Sequence, residues 1–415
     1  MAKVCRVCGA GNLEPFLDLG DQPHCNSLLS PDHLDQAEPK YPLRVCFCPV
    51  CTTVQIDHTV AKEEMFGDYL YVSGTTETLH RHFQDTTDRL VSRLHLDPGD
   101  LVVDIGSNDG TWLGCYKPYD IDALGVEAAR NLATMANQAG LHTLNCFFNE
   151  KAAESILAAH GPAKLVTAAG VFFHLEELHS ATAGVARLIG PDGVFCVQAI
   201  YLGEILAHTE FDNIYHEHLT YWTVRSIGDL FARHGLEIFS AQLLPIHGGS
   251  LELLVAARGR RSIDPSVRAM LAAERAGGYH QLATYQAFAD RVWQMRERLL
   301  TILADFRDRG LTVYAFGAPA KGATLLNSFG ISVDMVPFAV ERNPLKIGKV
   351  IPGARIPIID EATAAPPDAY LVLPWNFLTE FLQKKRDYIM SGGKFIVPVP
   401  EPIVIDAGNF DAHVH

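Results

Sequence analysis

Residues 101–110 read LVVDIGSNDG. The apolar residues form a short strand with Asp104 inside it, and Gly106 and Gly110 bracket a tight turn. The next helix is expected to start near Thr111. Strand, glycine turn and helix N-terminus together make the first crossover of a nucleotide-binding α/β sheet. The glycine spacing is GxxxG, not the GxGxxG of dinucleotide enzymes, and no GKS or GKT follows to cradle a phosphate. DxGxxxG suits S-adenosylmethionine, which has no phosphate and offers an aminoacyl tail to the turn. Asp104, Gly106, Asn108 and Gly110 are therefore candidate cofactor contacts. The following strand, DALGVE, ends in Glu127, where a carboxylate can take both ribose hydroxyls.

The α/β rhythm continues outward from this unit. KLVTAAGVFFHL reads as a strand entering a loop, ATAGVARLIG as a helix, and PDGVFCVQA as a turn and strand. LFARHGLEIFSAQLLPIHGGSLELLVAAR then reads as helix, strand, turn, strand, an antiparallel closing pair. Before the crossover, Leu79, Phe83, Leu90 and Leu94 lie near helical spacing. After it, Phe288, Val292, Met295, Leu299 and Ile302 mark one face of a long interdomain helix. A second crossover begins at 311, LTVYAFGAPAKGATLLN, and places Lys321 at a helix start as a candidate anion contact. The expected organisation is α/β throughout. Residues 1–65 form a zinc-binding domain and 66–260 a Rossmann-like methyltransferase domain. Residues 261–415 form a helical linker plus a smaller Rossmann-like domain.

Six of the nine cysteines fall in the first 51 residues. In a reducing compartment such clustering points to metal rather than disulfides. Cys5-x-x-Cys8 and Cys48-x-x-Cys51 each present two thiolates to one tetrahedral zinc. Cys46 fits only by spoiling the two-residue spacing. No open coordination position or neighbouring base is evident, so the zinc is expected to be structural, standing in for a core that a short segment cannot build.

A net charge of −14 argues against nonspecific nucleic-acid binding, which needs a basic face. No apolar run reaches the ~18 residues of a membrane span, and MAKVCRVCGA lacks a secretory apolar core. A cytoplasmic location is expected. A local pocket of opposite sign still permits an anionic substrate.

Residues 211–222, FDNIYHEHLTYW, gather more titratable groups than any neighbouring stretch. A metal at His216-Glu217-His218 needs a third ligand, and none is near in sequence. Residues at i and i+2 face one side only in a strand, and His216 is expected to be structural.

The ordered set CRVCG, CPVC, GDYLYVSG, VVDIGSNDG, LGVEAA, FDNIYHEHLTYW, GAPAKGATLLN, ERNPLKIGKVIPGARIPI, LVLPWNF and GGKFIVPVPEP resembles the sugar C-methyltransferases over nearly the whole chain. That resemblance implies an S-adenosylmethionine enzyme with structural zinc, acting on a nucleotide-linked 4-keto-deoxysugar, and a monomer. It carries over Cys5, Cys8, Cys48 and Cys51 as zinc ligands. His218 becomes the base, with Glu217, Tyr215 and His174 beside it, His174 and Tyr215 as donors to the developing oxyanion. Tyr69 or Tyr71 falls on a substrate-side tyrosine, and Lys321 and Asn376 (in LVLPWNF) are candidate substrate contacts. The sequence departs from the family pattern at Ala128, Gly170, Glu252, Ala323 and Glu341. The changes at 252 and 323 bear on the substrate's nucleotide or sugar. An O- or N-methyltransferase and a noncatalytic zinc module are the rival classes.

Overall fold

A computed structural model describes residues 4–67, 69, 71–75, 77–246 and 248–414. Near the N-terminus, β1 (Glu14–Gln22), β2 (Tyr41–Phe47) and β3 (Val54–Ile56) form an antiparallel sheet. Each CxxC turn closes beside a residue of positive φ, Gly9 at +74° and Thr52 at +60°. The backbone there curls so that Gly9 N–H reaches the Cys5 carbonyl and Thr52 N–H the Cys48 carbonyl.

The central sheet contains β4 (Leu101–Ile105), β5 (Asp122–Glu127), β6 (Thr143–Asn145), β7 (Leu165–Ala169) and β8 (Val194–Ile200), all parallel. After β8 the chain forms a two-residue strand, β9 (Thr220–Tyr221), then β10 (Leu236–Leu244) and β11 (Ser250–Ala257). The strand order is β6-β5-β4-β7-β8-β11-β10, with β11 antiparallel to both neighbours. Helices cover both faces, so the strands read as near-continuous apolar runs. The order reverses between β4 and β7, which opens a crevice at their carboxyl ends. The helix predicted at Thr111 spans Thr111–Gly114.

The C-terminal sheet contains β12 (Val313–Phe316), β13 (Ala339–Glu341), β14 (Ile358–Asp360), β15 (Ala369–Val372), β16 (Lys394–Val397) and β17 (Ile403–Ile405). Its order is β14-β13-β12-β15-β16-β17, and only β17 runs antiparallel. Among the described residues, no helix is long and apolar enough to cross a membrane.

The long helix Leu282–Asp308 buries Phe288, Val292, Met295 and Leu299, as its periodicity predicts. Ile302 is only half-buried, and Leu303 and Phe306 complete the face. The Tyr285 ring packs between Phe16 of β1 and Phe47 of β2, at 5.2 and 5.0 Å between centroids. One apolar cluster thus runs from Val45 of the N-terminal sheet through Phe211 and Leu219 to Phe329 and Ala315 of the C-terminal unit.

The most consequential join is small. β9 pairs antiparallel with β3, Val54 opposite Tyr221 and Gln55 opposite Thr220. The Ile56 N–H also donates to the Leu219 carbonyl. The segment that follows His218 therefore supplies the fourth strand of the cysteine-bearing sheet.

Candidate active site

The four predicted cysteines converge. Cys5 Sγ lies 3.4 Å from Cys51 Sγ, and Cys8 Sγ 3.5 Å from Cys48 Sγ. All four sulfurs fall within 4.8 Å of one another. Tetrahedral zinc with bonds of about 2.3 Å separates its sulfurs by about 3.8 Å, so the donors fit that ion after a shift of a few tenths of an ångström. Burial and the neighbouring thiols push Cys48 up to about 11. Cys51 is raised too, by its contact with Cys5 and by burial, so these two thiols resist ionising without a cation, which a divalent metal supplies. Cys46 stands apart from the cluster.

The 106–110 turn, the candidate cofactor contact, is tightly curled. Gly106 has φ +70°, and a Cβ there would meet Val171 Cγ2 at 2.3 Å. Gly110 has φ +82°, with Leu141 Cδ1 2.6 Å from a would-be Cβ. Only glycine allows the backbone to curl this tightly beneath a ligand. The Ser107 hydroxyl beside it is buried without a protein partner. Asp104 is buried at the end of β4 and accepts from the Thr167 hydroxyl at 2.6 Å. Burial pushes its carboxyl up to about 7, against the Thr167 bond, with Glu127 adding to the rise. A cationic ligand beside it favours the ionised form.

Glu127 ends β5 with each carboxylate oxygen accepting one backbone N–H, from Asn108 at 2.8 Å and Ala129 at 2.7 Å. One lone pair on each oxygen remains for a diol. The 106–110 turn and Glu127 thus offer a close-approach backbone and free carboxylate lone pairs, a geometry that suits S-adenosylmethionine. Glu127→Gln is expected to weaken its binding about 10- to 100-fold, the worth of a hydrogen bond to a charged group. Calorimetric titration with the cofactor reads this directly. Asn108, expected only in the turn, has a second duty. Its amide oxygen accepts the Ser73 N–H at 2.9 Å and its Nδ2 donates to the Tyr71 carbonyl at 3.1 Å. Asn108 thus pins the 71–73 segment over the cofactor turn.

The 211–218 segment, the candidate catalytic loop, differs from the extended chain expected of it. Phe211–Asn213 is a single 3-10 turn, and Tyr215–His218 is a tight turn closed by His218 N–H to the Tyr215 carbonyl at 2.9 Å. Within the turn the three side chains diverge. His216 Nε2 approaches the Tyr41 carbonyl of β2 at 3.2 Å, which makes it a link to the N-terminal sheet. Burial holds it down to about 4, so it stays neutral.

His218 is 3% exposed. Its Nδ1 lies 2.7 Å from the Asn213 carbonyl. A carbonyl only accepts, so Nδ1 carries the proton and Nε2 keeps its lone pair. Burial first, and then His174, hold the ring down to about 3. It is a neutral acceptor at neutral pH. Tyr215 lies against it, ring centroids 3.9 Å apart. Burial and Glu217 raise the Tyr215 phenol well above its ordinary value, so it remains a donor.

His174 joins this group, 5.1 Å from His218 between ring centroids. Its expected role as an oxyanion donor meets a structural obstacle. Nδ1 lies 2.8 Å from the Glu217 backbone carbonyl and must donate to it, which leaves Nε2 an acceptor in the neutral ring. Burial lowers its pKa, which favours that neutral ring. Tyr215 is then the donor of the pair.

Glu217 is fully buried yet held down to about 2: burial opposes ionisation, and His24, His174 and Tyr69 outweigh it. Tyr69 donates to Oε2 at 2.8 Å and Asn26 Nδ2 to Oε1 at 2.5 Å. Of the two tyrosines left open by the sequence, Tyr69 therefore reaches the 215–218 turn. Tyr71 is exposed beside the cofactor turn.

Lys321 does not stand in an open anion site. Its Nζ lies 3.8 Å over the Trp375 ring, and the Asp212 and Glu210 charges face it. Trp375 Nε1 donates to Asp212 Oδ2 at 2.7 Å, while Asp212 Oδ1 is buried without a partner. Asn376 is half-buried on the same turn. Glu252 is committed to the interior, where Arg89, Gln198 and Gln242 all bond its carboxylate. Ala323 is buried as well. Sequence spacing missed His24, Asn26 and Asp212. The first two sit in an unremarkable proline loop, and only the fold brings them to Glu217.

Three family profiles match in chain order: a putative zinc binding domain at 5–66, a methyltransferase domain at 76–241 and a C-methyltransferase C-terminal domain at 245–400. C-methyltransferase NovU of Streptomyces niveus is 36% identical over 406 residues, 97% of each chain. Among solved structures, an S-adenosylmethionine-dependent methyltransferase from Clostridium acetobutylicum is 11% identical, covering 45% of this chain and 94% of its own, with a TM-score of 0.35. A complex between the Haloferax volcanii Trm112 methyltransferase activator and a putative methyltransferase matches at 17% identity, 44% and 95% coverage and a TM-score of 0.35. Identity to NovU along nearly the full length of both chains, with the three profiles in one order, settles the family: the protein belongs to the zinc-binding C-methyltransferases and depends on S-adenosylmethionine.

Proposed function

We propose that the protein methylates C-3, next to the keto group, of a nucleotide-linked 4-keto-deoxysugar in branched-sugar biosynthesis. The observation that carries this reading is the pairing of a neutral His218, its Nε2 lone pair unspent, with the protonated Tyr215. Carbon beside a ketone needs a positioned base to become a nucleophile and a donor to hold the oxyanion that results. His218 removes the proton and Tyr215 donates to the oxygen. Asn213 fixes the His218 tautomer, and Glu217 anchors the turn that carries both. S-Adenosylmethionine, when bound, supplies an electrophilic methyl group that needs no further activation.

The same reading divides the chain into a zinc-binding unit at 1–65, a methyltransferase unit at 66–260 and a substrate unit at 261–415. It takes the enzyme to be a cytoplasmic monomer. The test is incubation with a panel of nucleotide-4-ketosugars and methyl-labelled cofactor, with NMR of the product. A new C–CH3 signal on one member of the panel is expected. An O-methyl or N-methyl product would replace carbon transfer with the rival chemistry, and no labelled product from any member would overturn the substrate class.

A further inference from the structure

The loop after β1, Pro23-His24-Cys25-Asn26-Ser27, enters the catalytic turn from the cysteine-bearing sheet. His24 Nε2 stands 2.9 Å from Glu217 Oε1, and no other basic side chain among the described residues lies within ion-pair distance of that carboxylate. On its other edge, His24 Nδ1 is 3.1 Å from the Ser27 hydroxyl. His24 and Ser27 also line a cleft of about 330 Å³ that includes Tyr41, Met65 and Pro352. The imidazole therefore sits at the boundary between an open cleft and a buried carboxylate.

We propose that His24 is a positioning residue for methyl transfer: the imidazole, backed by Ser27, holds the Glu217 carboxylate through a 2.9 Å polar contact and thereby the turn that presents His218 and Tyr215. Three consequences of the geometry support this. Glu217 Oε1 receives two groups from the loop, His24 and Asn26, whereas Tyr69 holds Oε2. The Glu217 backbone carbonyl orients His174, so a rotation of residue 217 moves that ring too. His218 is the next residue, and its ring packs on Phe173 and Tyr215 with little room to compensate. The Nε2–Oε1 contact is at ion-pair distance without hydrogen-bond alignment. Cys25 Sγ, His24 and Glu217 also lie within 4.8 Å of one another, a donor set for a metal. The carboxylate already has Asn26 and Tyr69 as donors, which favours the positioning role over coordination.

This proposal rests on the 4-ketosugar reading, and the experiment separates the two. Exchange of the substrate's α-hydrogen with D2O, followed by NMR without methyl transfer, reports deprotonation alone. It is measured with turnover, cofactor affinity, melting temperature and zinc content for wild type, His24→Ala and His24→Gln. Wild type must exchange; if it does not for any ketosugar, the substrate reading fails rather than the role of His24. Expected for His24→Ala are exchange and kcat lowered about 10- to 100-fold, cofactor affinity within twofold and one zinc per chain retained. His24→Gln, which keeps a donor, should recover most of the loss. Wild-type exchange in His24→Ala would overturn the proposal. So would equal losses in both variants accompanied by a lowered melting temperature, which mark a merely structural role. A second metal equivalent in wild type that both His24→Ala and Cys25→Ser abolish would overturn it in favour of a metal site.

Discussion

His218→Ala is expected to lower kcat about 100- to 10,000-fold, the usual worth of a general base. Cofactor affinity should stay within about twofold, because His218 lies outside the 106–110 turn and Glu127. Initial-rate kinetics and calorimetry on the same preparation check both halves. The low proton affinity of the buried ring adds a second signature. A base works when unprotonated, and a ring held down to about 3 stays unprotonated as pH falls through the ordinary histidine range. Activity carried by His218 is thus retained from pH 8 to pH 5 and lost only on approach to the folded-state pKa. The acid limb of kcat/KM, which reports the free enzyme, should lie well below pH 6. A limb centred near 6.5 would assign the proton to a less buried group. The weak basicity of the buried ring does not prevent catalysis. The imidazolium and the oxyanion form together, and in a dry site each stabilises the other strongly.

Loss of zinc should be as damaging, and for a reason beyond stability. Cys48→Ser removes one of four thiols that lie within 4.8 Å of one another. Structural zinc contributes about 10–16 kcal/mol in small zinc peptides, comparable with the whole stability of a domain, about 5–15 kcal/mol. Without it the β2–β3 turn loses its anchor. β3 then releases β9, and the loop carrying Asn26 leaves Glu217. Turnover should fall to background while the parallel strands β4–β8 still bind cofactor. Metal analysis, thermal melting, calorimetric titration and methyl transfer on wild type and Cys48→Ser separate these effects. Full turnover in zinc-free protein would refute the link between the zinc sheet and the catalytic turn.

Much of the fold was legible because its signals are local. The β4 turn carries its own glycines, the cysteine pairs their own spacing, and the long helix its own periodicity. The tight glycine turn and the four-cysteine cluster could be named from those patterns. The catalytic cluster was only half legible. FDNIYHEHLTYW announced titratable groups, but alternation along an extended chain misjudged a segment that forms a 3-10 turn and a tight turn. Whether His174 donates or accepts depends on which atom faces the Glu217 carbonyl, and no spacing encodes that. Lys321 at a helix start suggested an anion, yet Trp375 and Asp212 arrive from elsewhere in the chain to meet it. His24 and Glu217 are brought together by a sheet whose fourth strand is distant in sequence.

The pairing of β3 with β9 also sets a schedule for the chain during synthesis. About 160 residues must follow β3 before its partner exists, roughly 10–30 s of elongation at about 5–20 residues per second. Throughout that interval the cysteine turns can capture zinc, but the nascent sheet keeps an open edge along Val54–Ile56. Such an edge invites pairing with another chain. The ribosome-bound intermediate is therefore the sticky form of this protein, and β9 is the strand that ends the exposure.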